Sequence, residues 1–184
     1  INNVCNYDLA LTNPAFINIG TVLAIEKISL CFKSKIIMAV RSKSPRFFEL
    51  NPFFNVEFVE VGDTKNIIET IKISIEKLNS KFCLINPITT IPNVAPNLEP
   101  FIEFGAQQIP KENWSSITKN NKGDLLFHSK NDFISNNLIS YPFTGRIYAK
   151  SLDILNSINK LREEEKNDLG NLAKILFIEK KVKP

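Results

Sequence analysis

Apolar residues in the first half of the chain fall into short segments that alternate between strand-like and helix-like spacing. Residues 35–40 form a nearly continuous apolar run, which is typical of a central parallel strand buried on both faces. Residues 55–61 alternate apolar and polar positions with period two, and residues 81–85 are a third apolar segment of strand length. Between these two segments, residues 66–78 repeat Ile and Leu at helical spacing. The pattern therefore predicts three strands, with a helix between the last two.

The same alternation extends towards the start of the chain. Val4–Cys5 is expected to close a first strand, and residues 21–32 are expected to form a helix capped by Thr21. The helix at 66–78 is expected to take its cap from Asp63 or Thr64. Strands and helices that alternate at such short spacing are typical of right-handed parallel crossovers. We therefore expect an α/β fold in which these four strands form a Rossmann-like, doubly wound, mostly parallel sheet.

The second half of the chain has a different pattern. Five prolines between Pro87 and Pro110 indicate an irregular connection that carries one strand at residues 101–104. Residues 120–124 place Asn and Gly between two strand-like segments, which predicts an antiparallel hairpin extension of the sheet. A further strand is expected at residues 145–149. Two C-terminal helices are expected. The first runs from Ser151, which is expected to cap it, to about Leu161, and the second runs from Glu163 to about Phe177.

Composition limits the class of protein. Of the 184 residues, 43% are hydrophobic and 23% are charged, which is ordinary for a globular chain and fits one domain at residues 1–184. The net charge of +4 comes from 23 basic and 19 acidic residues, and the basic ones are dispersed except in the tail at residues 179–183. A nucleic-acid binder gathers its basic residues on one face, so we expect no nucleic-acid partner. No apolar run reaches the length that a membrane span needs.

The cysteines and the first residues bear on the cellular context. Cys5, Cys31 and Cys83 lie in apolar segments at spacings that match no metal motif, so we expect buried free thiols and a cytoplasmic location. The chain starts at Ile1, without an initiator Met or the pattern of a signal peptide. We therefore expect it to be excised from a longer chain, in which a flanking domain would be a partner.

Several segments follow the order of motifs in one enzyme family. Residues 13–21, Asn-Pro-Ala-Phe-Ile-Asn-Ile-Gly-Thr, have the shape of a segment that leads through an Ile-x-Gly turn into a helix. Residues 114–117 and 122–130 form a predicted hairpin that ends in Lys130, and residues 144–148 read Thr-Gly-Arg-Ile-Tyr. In this order the chain resembles the sugar-phosphate nucleotidyltransferases, of the nucleotide-diphospho-sugar transferase fold. Enzymes of that family join a nucleoside triphosphate to a sugar 1-phosphate.

The resemblance carries expectations for function. It implies a nucleotide-binding half at residues 1–86, a sugar-binding half at residues 87–184, and a role in bacterial sugar-nucleotide or surface-polysaccharide (capsule) biosynthesis. The partner would be a nucleotide or a nucleotide-sugar. However, residues 6–12 lack the Gly, Lys and Arg of a phosphate-binding loop, and Asn86 stands where the family has a magnesium-binding Asp. The expected enzyme is therefore degenerate, with Mg²⁺ as cofactor if it is active and no cofactor otherwise.

Candidate binding residues come from two sources. The resemblance assigns the sugar phosphate to Lys130 and includes Thr144 and Gly145, where the absence of a side chain would let a sugar ring approach. The doubly wound sheet would also gather polar residues at the carboxyl ends of its strands, where ligands bind in open α/β sheets. The residues expected there are Asp8, Arg41, Asn86 and Thr89. No residue is assigned a catalytic or metal-binding role.

Other interpretations stay open at this point. The chain could be a non-catalytic nucleotide-sugar-binding or regulatory domain, or a glycosyltransferase of the same fold, although no Asp-x-Asp metal motif is present. Lys130 could be a solvated lysine at a strand end, and Gly145 a glycine at the entry of a strand. His128 is the only histidine, so no metal cluster of several imidazoles can form.

Overall fold

The computed structural model describes residues 36–40, 56–86, 99–105, 114–130, 132 and 139–184. The chain divides into two compact units, one of Ile1–Ser80 with Pro87–Pro96 and the other of Lys81–Asn86 with Asn97–Pro184. The strand predicted at Val4–Cys5 and the helix predicted at 21–32 lie outside the described residues.

The described part of the first unit contains a parallel strand pair and a helix. β1 (Ile36–Val40) pairs in parallel with β2 (Val56–Glu60), starting with Ile36 opposite Val56. This confirms the predicted parallel pairing of these two segments. α1 (Ile67–Leu78) packs against β1, and it buries most of its Ile side chains. The helix therefore uses the apolar stripe that its sequence period predicts.

The cap of α1 differs from the prediction. Asn66 takes the cap position, and its side-chain oxygen accepts a hydrogen bond from the Glu69 N–H at 2.9 Å. The prediction of Asp63 or Thr64 as the cap is therefore wrong. The hydroxyl of Thr64 lies instead 2.6 Å from the hydroxyl of Thr70, a residue of α1. Asn, Asp and Thr are all good caps, so residue type alone could not select among neighbouring candidates.

The second unit is built on an antiparallel sheet. Its described strands are β3 (Phe82–Ile85), β4 (Phe101–Phe104), β5 (Ser116–Lys119), β6 (Leu125–His128) and β7 (Ser140–Lys150). β7 is the central strand, because β3, β4 and β5 all pair with it, while β6 pairs with β5. Every pairing among these described strands is antiparallel.

This sheet overturns the predicted fold class. The doubly wound, mostly parallel sheet is wrong, because the strand at Leu84 belongs to a different sheet from β1 and β2. β3 runs antiparallel to β7, with Leu84 opposite Tyr148. An apolar run shows that a strand is buried, but it carries no information on the direction or identity of its partner. The strand predicted at residues 145–149 is part of β7, whose 11 residues are long enough to pair with three shorter strands.

α2 (Ser151–Ile158) follows β7 without a connecting loop. The prediction of Ser151 as its cap is wrong, because Lys150 takes the cap position and Ser151 is the first helical residue. The N–H of Ser151 donates to the backbone oxygen of Lys81 at 3.0 Å. This hydrogen bond ties the start of α2 to the segment that enters β3.

The last predicted helix is divided into two parts. A 3₁₀ helix spans Glu163–Asn167, and α3 spans Leu169–Ile178. Asp168 separates them and caps α3, since its carboxylate accepts a hydrogen bond from the Gly170 N–H at 2.8 Å. α2 and α3 pack on each other and on β7. The core of this unit includes Ile147 of β7 and Leu172 of α3, both with 0% of their surface exposed.

Three further predictions are confirmed. The strand at residues 101–104 is β4. The predicted hairpin joins β5 to β6, and Gly123 in its turn has a φ of +90°. Cys83 is buried and makes no disulfide, and burial raises the pKa of its thiol to about 12; Cys31 lies outside the described residues. In the described part of the chain, no helix is both long enough and apolar enough to cross a membrane.

Candidate functional site

The two edges of β7 hold different strands along its length. Ile147 pairs with β3 and with β4 at the same time, so β3 and β4 lie on opposite edges. Phe143 pairs with Phe104 of β4, while its N–H donates to the oxygen of Ser115, next to β5, at 2.8 Å. β5 therefore lies opposite β4, on the same edge of β7 as β3.

Thr144, Gly145 and Arg146 lie where this shared edge passes from β5 to β3. Among the described strands, no register pair includes any of these three residues. On the other edge, Ile102 of β4 pairs with Ile147 and Phe104 pairs with Phe143. The three residues of β7 between these pairs therefore face a single residue of β4, Glu103. This arrangement is a β-bulge. Bulges are frequent next to binding sites, since they interrupt backbone pairing and change the direction of side chains.

Gly145 gives the bulge its backbone conformation. Its φ is +89°, in a region that residues with a side chain rarely adopt. Gly145 lies inside β7. The alternative interpretation, a glycine at the entry of a strand, is therefore wrong. A glycine within a strand often marks a bulge or a place where a ligand comes close to the backbone.

A polar network connects Glu103 with the two residues that flank Gly145. The hydroxyl of Thr144 lies 2.9 Å from Oε2 of Glu103 and 3.1 Å from its backbone oxygen. The guanidinium of Arg146 pairs with the other oxygen, Oε1, of the same carboxylate. The backbone N–H of Arg146 donates to the Thr144 hydroxyl at 3.3 Å. The carboxylate is therefore held in one orientation by a donor on each of its oxygens.

The two charged members of this network differ in exposure. The side chain of Arg146 is 5% exposed, whereas that of Glu103 is 34% exposed. The guanidinium carbon also lies 5.8 Å from the centre of the Phe101 ring, within range of a cation–π interaction. Among the described residues, Nε of Arg146 has no hydrogen-bond partner. The carboxylate is therefore the member of the pair that a ligand can reach.

Lys130 follows the β5–β6 hairpin, in the turn directly after β6. Ser116 pairs with His128 of β6 and with Pro142 of β7, so these residues form one row across three strands. β6 and β7 run in the same direction, because each is antiparallel to β5. Lys130 and Thr144 each follow their member of this row by two residues. β6 and β7 are two strand spacings apart at this row, which is about 10 Å.

Trp114 and Asn86 flank the bulge along the edge that β5 and β3 share. Trp114 precedes β5, and 52% of its surface is exposed. Asn86 directly follows β3, and the pairing of Ile85 with Ile147 places it at the level of Arg146. The ends of both strands therefore meet β7 at the bulge. An exposed aromatic ring beside a few fixed polar groups is typical of ligand sites.

The structure brings some of the predicted site residues together. Asn86, Thr144 and Gly145 lie at the bulge, and the exposed Lys130 lies in the turn after β6. The other predicted residues, which are outside the described part of the chain, are Asp8, Arg41 and Thr89. The original reason for grouping these residues with Asn86 no longer applies, because β3 does not belong to a parallel sheet.

Glu103 and Arg146 were missed by the sequence analysis. Each is a charged residue near the middle of an otherwise apolar or aromatic strand, in Phe-Ile-Glu-Phe and in Thr-Gly-Arg-Ile-Tyr. Buried charges need partners, so two such strands with opposite charges could have been paired on this signal. The bulge itself has no comparable signal beyond Gly145.

The turn that carries Lys130 is fixed by charged groups. The carboxylate of Asp132 accepts hydrogen bonds from the Ser129 N–H at 2.8 Å and from the Lys174 ammonium at 2.7 Å. Burial raises the pKa of Asp132, but these two hydrogen bonds together with the charges of Lys174 and His128 outweigh it and hold the pKa below its usual value. Burial lowers the pKa of the neighbouring His128; the Asp132 charge opposes this effect and the Lys174 charge adds to it.

The described residues at the bulge do not fit a magnesium ion. Among the residues that the structure describes, no three His, Cys, Asp or Glu side chains form a group that could hold a metal. The carboxylate of Glu103 is already paired with Arg146, and Asn86 offers only a neutral oxygen. Mg²⁺ needs carboxylate ligands or substrate phosphates in octahedral geometry, so no metal-dependent step is assigned to these residues.

Comparison with known proteins assigns the chain to no family. Neither the models of known protein families nor the curated proteins give a match to it. A functional assignment therefore depends on the bulge and on the order of the motifs along the chain.

Proposed function

We propose that the second unit binds a phosphorylated sugar at the bulge of β7, either as a sugar 1-phosphate or as part of a nucleotide-sugar. The bulge is the observation that carries the proposal. It combines Gly145, the oriented carboxylate of Glu103 and the exposed Trp114, and Lys130 lies in the turn after β6, two strands away. The resemblance to the sugar-phosphate nucleotidyltransferases points to the same part of the chain through Gly145 and Lys130.

Glu103 would bind the hydroxyl groups of the sugar. An ionised carboxylate offers about four acceptor positions, and Arg146 and Thr144 each use a position on a different oxygen. The remaining positions belong to a side chain that is 34% exposed, so they can accept hydrogen bonds from a ligand. Gly145 leaves room for the ring next to the backbone. Trp114 offers the ring an apolar face.

Lys130 would bind the phosphate. Its side chain is exposed, and it follows β6 in the turn that Asp132 and Lys174 hold in place. A hydrogen bond between an ammonium group and a phosphate is stronger than one between neutral groups. β6, which precedes Lys130, and β7, which holds Thr144, are about 10 Å apart, and one sugar phosphate could contact both residues because a lysine side chain spans several ångströms.

We infer binding without nucleotidyl transfer as the role of the chain. The residues described at the bulge do not fit Mg²⁺, and residues 6–12 lack the glycines and the cation of a phosphate loop. In this proposal the chain serves bacterial sugar-nucleotide or surface-polysaccharide metabolism, as a degenerate relative of the transferases. The free, buried thiol of Cys83 supports a reducing compartment such as the cytoplasm.

Calorimetric titration tests the proposal with four ligands: a hexose 1-phosphate, a nucleoside diphosphate hexose, the free hexose and inorganic phosphate. We expect one or both sugar phosphates to bind more tightly than the free hexose and inorganic phosphate, because only they engage both parts of the site. Lys130→Ala should weaken that binding about tenfold or more, which is the loss expected for a charge-assisted hydrogen bond.

Lys122→Ala is the matched control. Lys122 is an exposed lysine in the turn at the opposite end of the same hairpin, so its removal changes the net charge equally. Equal weakening by Lys122→Ala and Lys130→Ala would overturn the proposed site. A hexose 1-phosphate that binds no better than inorganic phosphate would show that the site does not recognise the sugar.

A further inference from the structure

Each oxygen of the Glu103 carboxylate accepts one hydrogen bond from β7. Oε2 accepts from the hydroxyl of Thr144 at 2.9 Å, and Oε1 accepts from the guanidinium of Arg146. Among the described residues, these are the only donors to the carboxylate. An ionised carboxylate has about four acceptor positions on its two oxygens, so each oxygen of Glu103 keeps a position for a ligand.

The two donors also fix the direction of the remaining positions. The side chain of Arg146 is 5% exposed and therefore held within the sheet. The hydroxyl of Thr144 is itself held by the backbone N–H of Arg146 at 3.3 Å. The side chain of Glu103 is 34% exposed, so a ligand can reach it. The carboxylate therefore presents two neighbouring acceptors in a fixed orientation.

Two neighbouring hydroxyl groups are the donors that fit this pair of acceptors. The two oxygens of a carboxylate share one carbon, and they accept paired donors side by side, as they do from a guanidinium group. Hydroxyls on adjacent carbons of a sugar ring lie side by side when they are gauche to each other. A single hydroxyl fills only one of the two positions. An ammonium group would gain less, because Arg146 already neutralises the charge of Glu103.

We propose that Glu103 binds a vicinal diol of the ligand, with one hydroxyl donating to each carboxylate oxygen. This inference rests on the proposed function, since it takes the bulge of β7 as the site of a phosphorylated sugar. It names the feature of the sugar that is recognised: a gauche pair of hydroxyls. The diol belongs either to the hexose ring or to the ribose of a nucleotide-sugar, and different deoxy ligands distinguish these two sources.

Calorimetric titration with a 3-deoxy hexose 1-phosphate tests the hexose as the source. The parent ligands are the 1-phosphates of glucose, galactose and mannose, and the one that binds most tightly is compared with its own 3-deoxy analogue. The hydroxyl at position 3 belongs to both vicinal pairs of the ring, so every hexose diol includes it. We expect the analogue to bind about tenfold more weakly or worse, which is the loss expected for a hydrogen bond to a charged group.

A second pair of ligands tests the ribose as the source. A nucleoside diphosphate hexose is compared with the same molecule built on 2′-deoxyribose, which lacks one hydroxyl of the ribose diol. If the ribose supplies the diol, the loss of about tenfold appears in this pair, and the 3-deoxy hexose is tolerated. A loss in either pair supports the inference. If neither pair shows a loss, the inference is wrong.

Glu103→Gln tests whether this carboxylate is the group that binds the diol. The amide oxygen can still accept from Arg146, and the amide nitrogen can donate to Thr144, but one of the two acceptors for the ligand becomes a donor. The ratio of affinities for the parent and deoxy ligands should fall about fivefold or more, because hydrogen bonds to a neutral amide are weaker than those to a charged group.

Glu99→Gln is the matched control, and Thr144→Val is a second test. Glu99 is an exposed carboxylate that precedes β4 and pairs with Lys183, so its replacement changes the net charge equally and should keep the ratio of the natural protein. Thr144→Val leaves the pair of Glu103 with Arg146 in place but removes the hydroxyl that orients Oε2, so the ratio should fall. This variant tests the inference even if Glu103→Gln does not fold.

The outcomes also separate this inference from the proposed function. If a hexose 1-phosphate binds in a Lys130-dependent way but tolerates the loss of either hydroxyl, the role of Glu103 is wrong and the sugar-phosphate site stands. If no sugar phosphate binds, both proposals are wrong. If the deoxy ligands bind weakly but the ratio is unchanged in Glu103→Gln and in Thr144→Val, another residue binds the diol, and the inference is wrong.

Discussion

Arg146 is buried in the sheet with its guanidinium paired to Glu103, whose carboxylate keeps about a third of its surface open to solvent. This asymmetry means that the two residues cannot be removed at equal cost. A carboxylate that loses its partner can be hydrated where it stands. A buried guanidinium that loses its partner cannot be hydrated without disturbing β4 and β7.

Glu103→Ala is therefore expected to destabilise the fold more than Arg146→Met. Breaking a buried ion pair by removing one partner costs about 3 kcal/mol or more, and Glu103→Ala leaves Arg146 in that position. In Arg146→Met the apolar side chain fills part of the volume and the exposed carboxylate is hydrated, so about 1 kcal/mol is expected. Chemical denaturation of the three proteins measures the difference. Equal costs would mean that solvent reaches Arg146 in the folded protein.

Gly170 is expected to tolerate no larger side chain. A Cβ added there would lie 1.9 Å from Oγ and 2.5 Å from Cβ of Ser115, so the start of α3 would have to move away from the segment that leads into β5. We expect Gly170→Ala to cost about 1–3 kcal/mol, as overpacking does elsewhere. In a double-mutant cycle, Ser115→Gly should recover most of that cost. Additive costs in the double variant would show that the side chain of Ser115 does not lie against Gly170.

Element positions could be predicted from the sequence better than strand partners could. The spacing of apolar residues located α1, β2, β3 and β4, and the Asn and Gly residues of the hairpin turn located the β5–β6 connection. The same apolar spacing does not indicate whether β3 runs parallel or antiparallel to its neighbours. The wrong prediction of a single parallel sheet follows from this missing information. What decides the arrangement is the length of β7, which pairs with β3 and β4 on opposite edges, and sequence period does not encode such long-range pairing.

The candidate site was only partly accessible to sequence reasoning. Gly145 was singled out because glycine permits unusual backbone conformations, and its φ of +89° agrees with that reason. Glu103 and Arg146 could not be joined without the register of β4 on β7. Asn86 was singled out for a place in a parallel sheet that does not form, yet the antiparallel register of β3 brings it to the level of Arg146.

The stability of the protein is expected to fall as the pH drops below about 6.5, through His128. Burial, the largest effect, lowers the pKa of this imidazole below its ordinary value of 6.5 in the folded protein. Between the two pKa values the unfolded chain binds more protons than the folded one, so stability is fully present above about pH 6.5 and is lost as the pH falls towards the folded pKa. Denaturation at several pH values measures this slope.

His128→Gln should flatten the slope between about pH 5 and 7, because it removes the group that titrates there. A steeper loss at lower pH should remain in the variant. The pKa of Asp132 is also lowered, below 3.8, so protonation of this carboxylate removes stability as the pH falls further. A slope above pH 5 that survives in His128→Gln would have to come from a different group.

The chain should form no detectable nucleotide-sugar from nucleoside triphosphates and sugar 1-phosphates in the presence of magnesium. Charge accumulates on the reacting phosphate, and removing one preorganised donor from such a centre costs about 2.7–4 kcal/mol, or about a hundred- to a thousandfold in rate. Residues 6–12 supply no glycine and no cation, and Asn86 supplies no carboxylate, so several contributions are missing together. A coupled assay for released pyrophosphate measures turnover. Turnover that is abolished by Lys130→Ala but kept by Asn86→Ala would show that the chain is an active enzyme whose metal site lies away from Asn86.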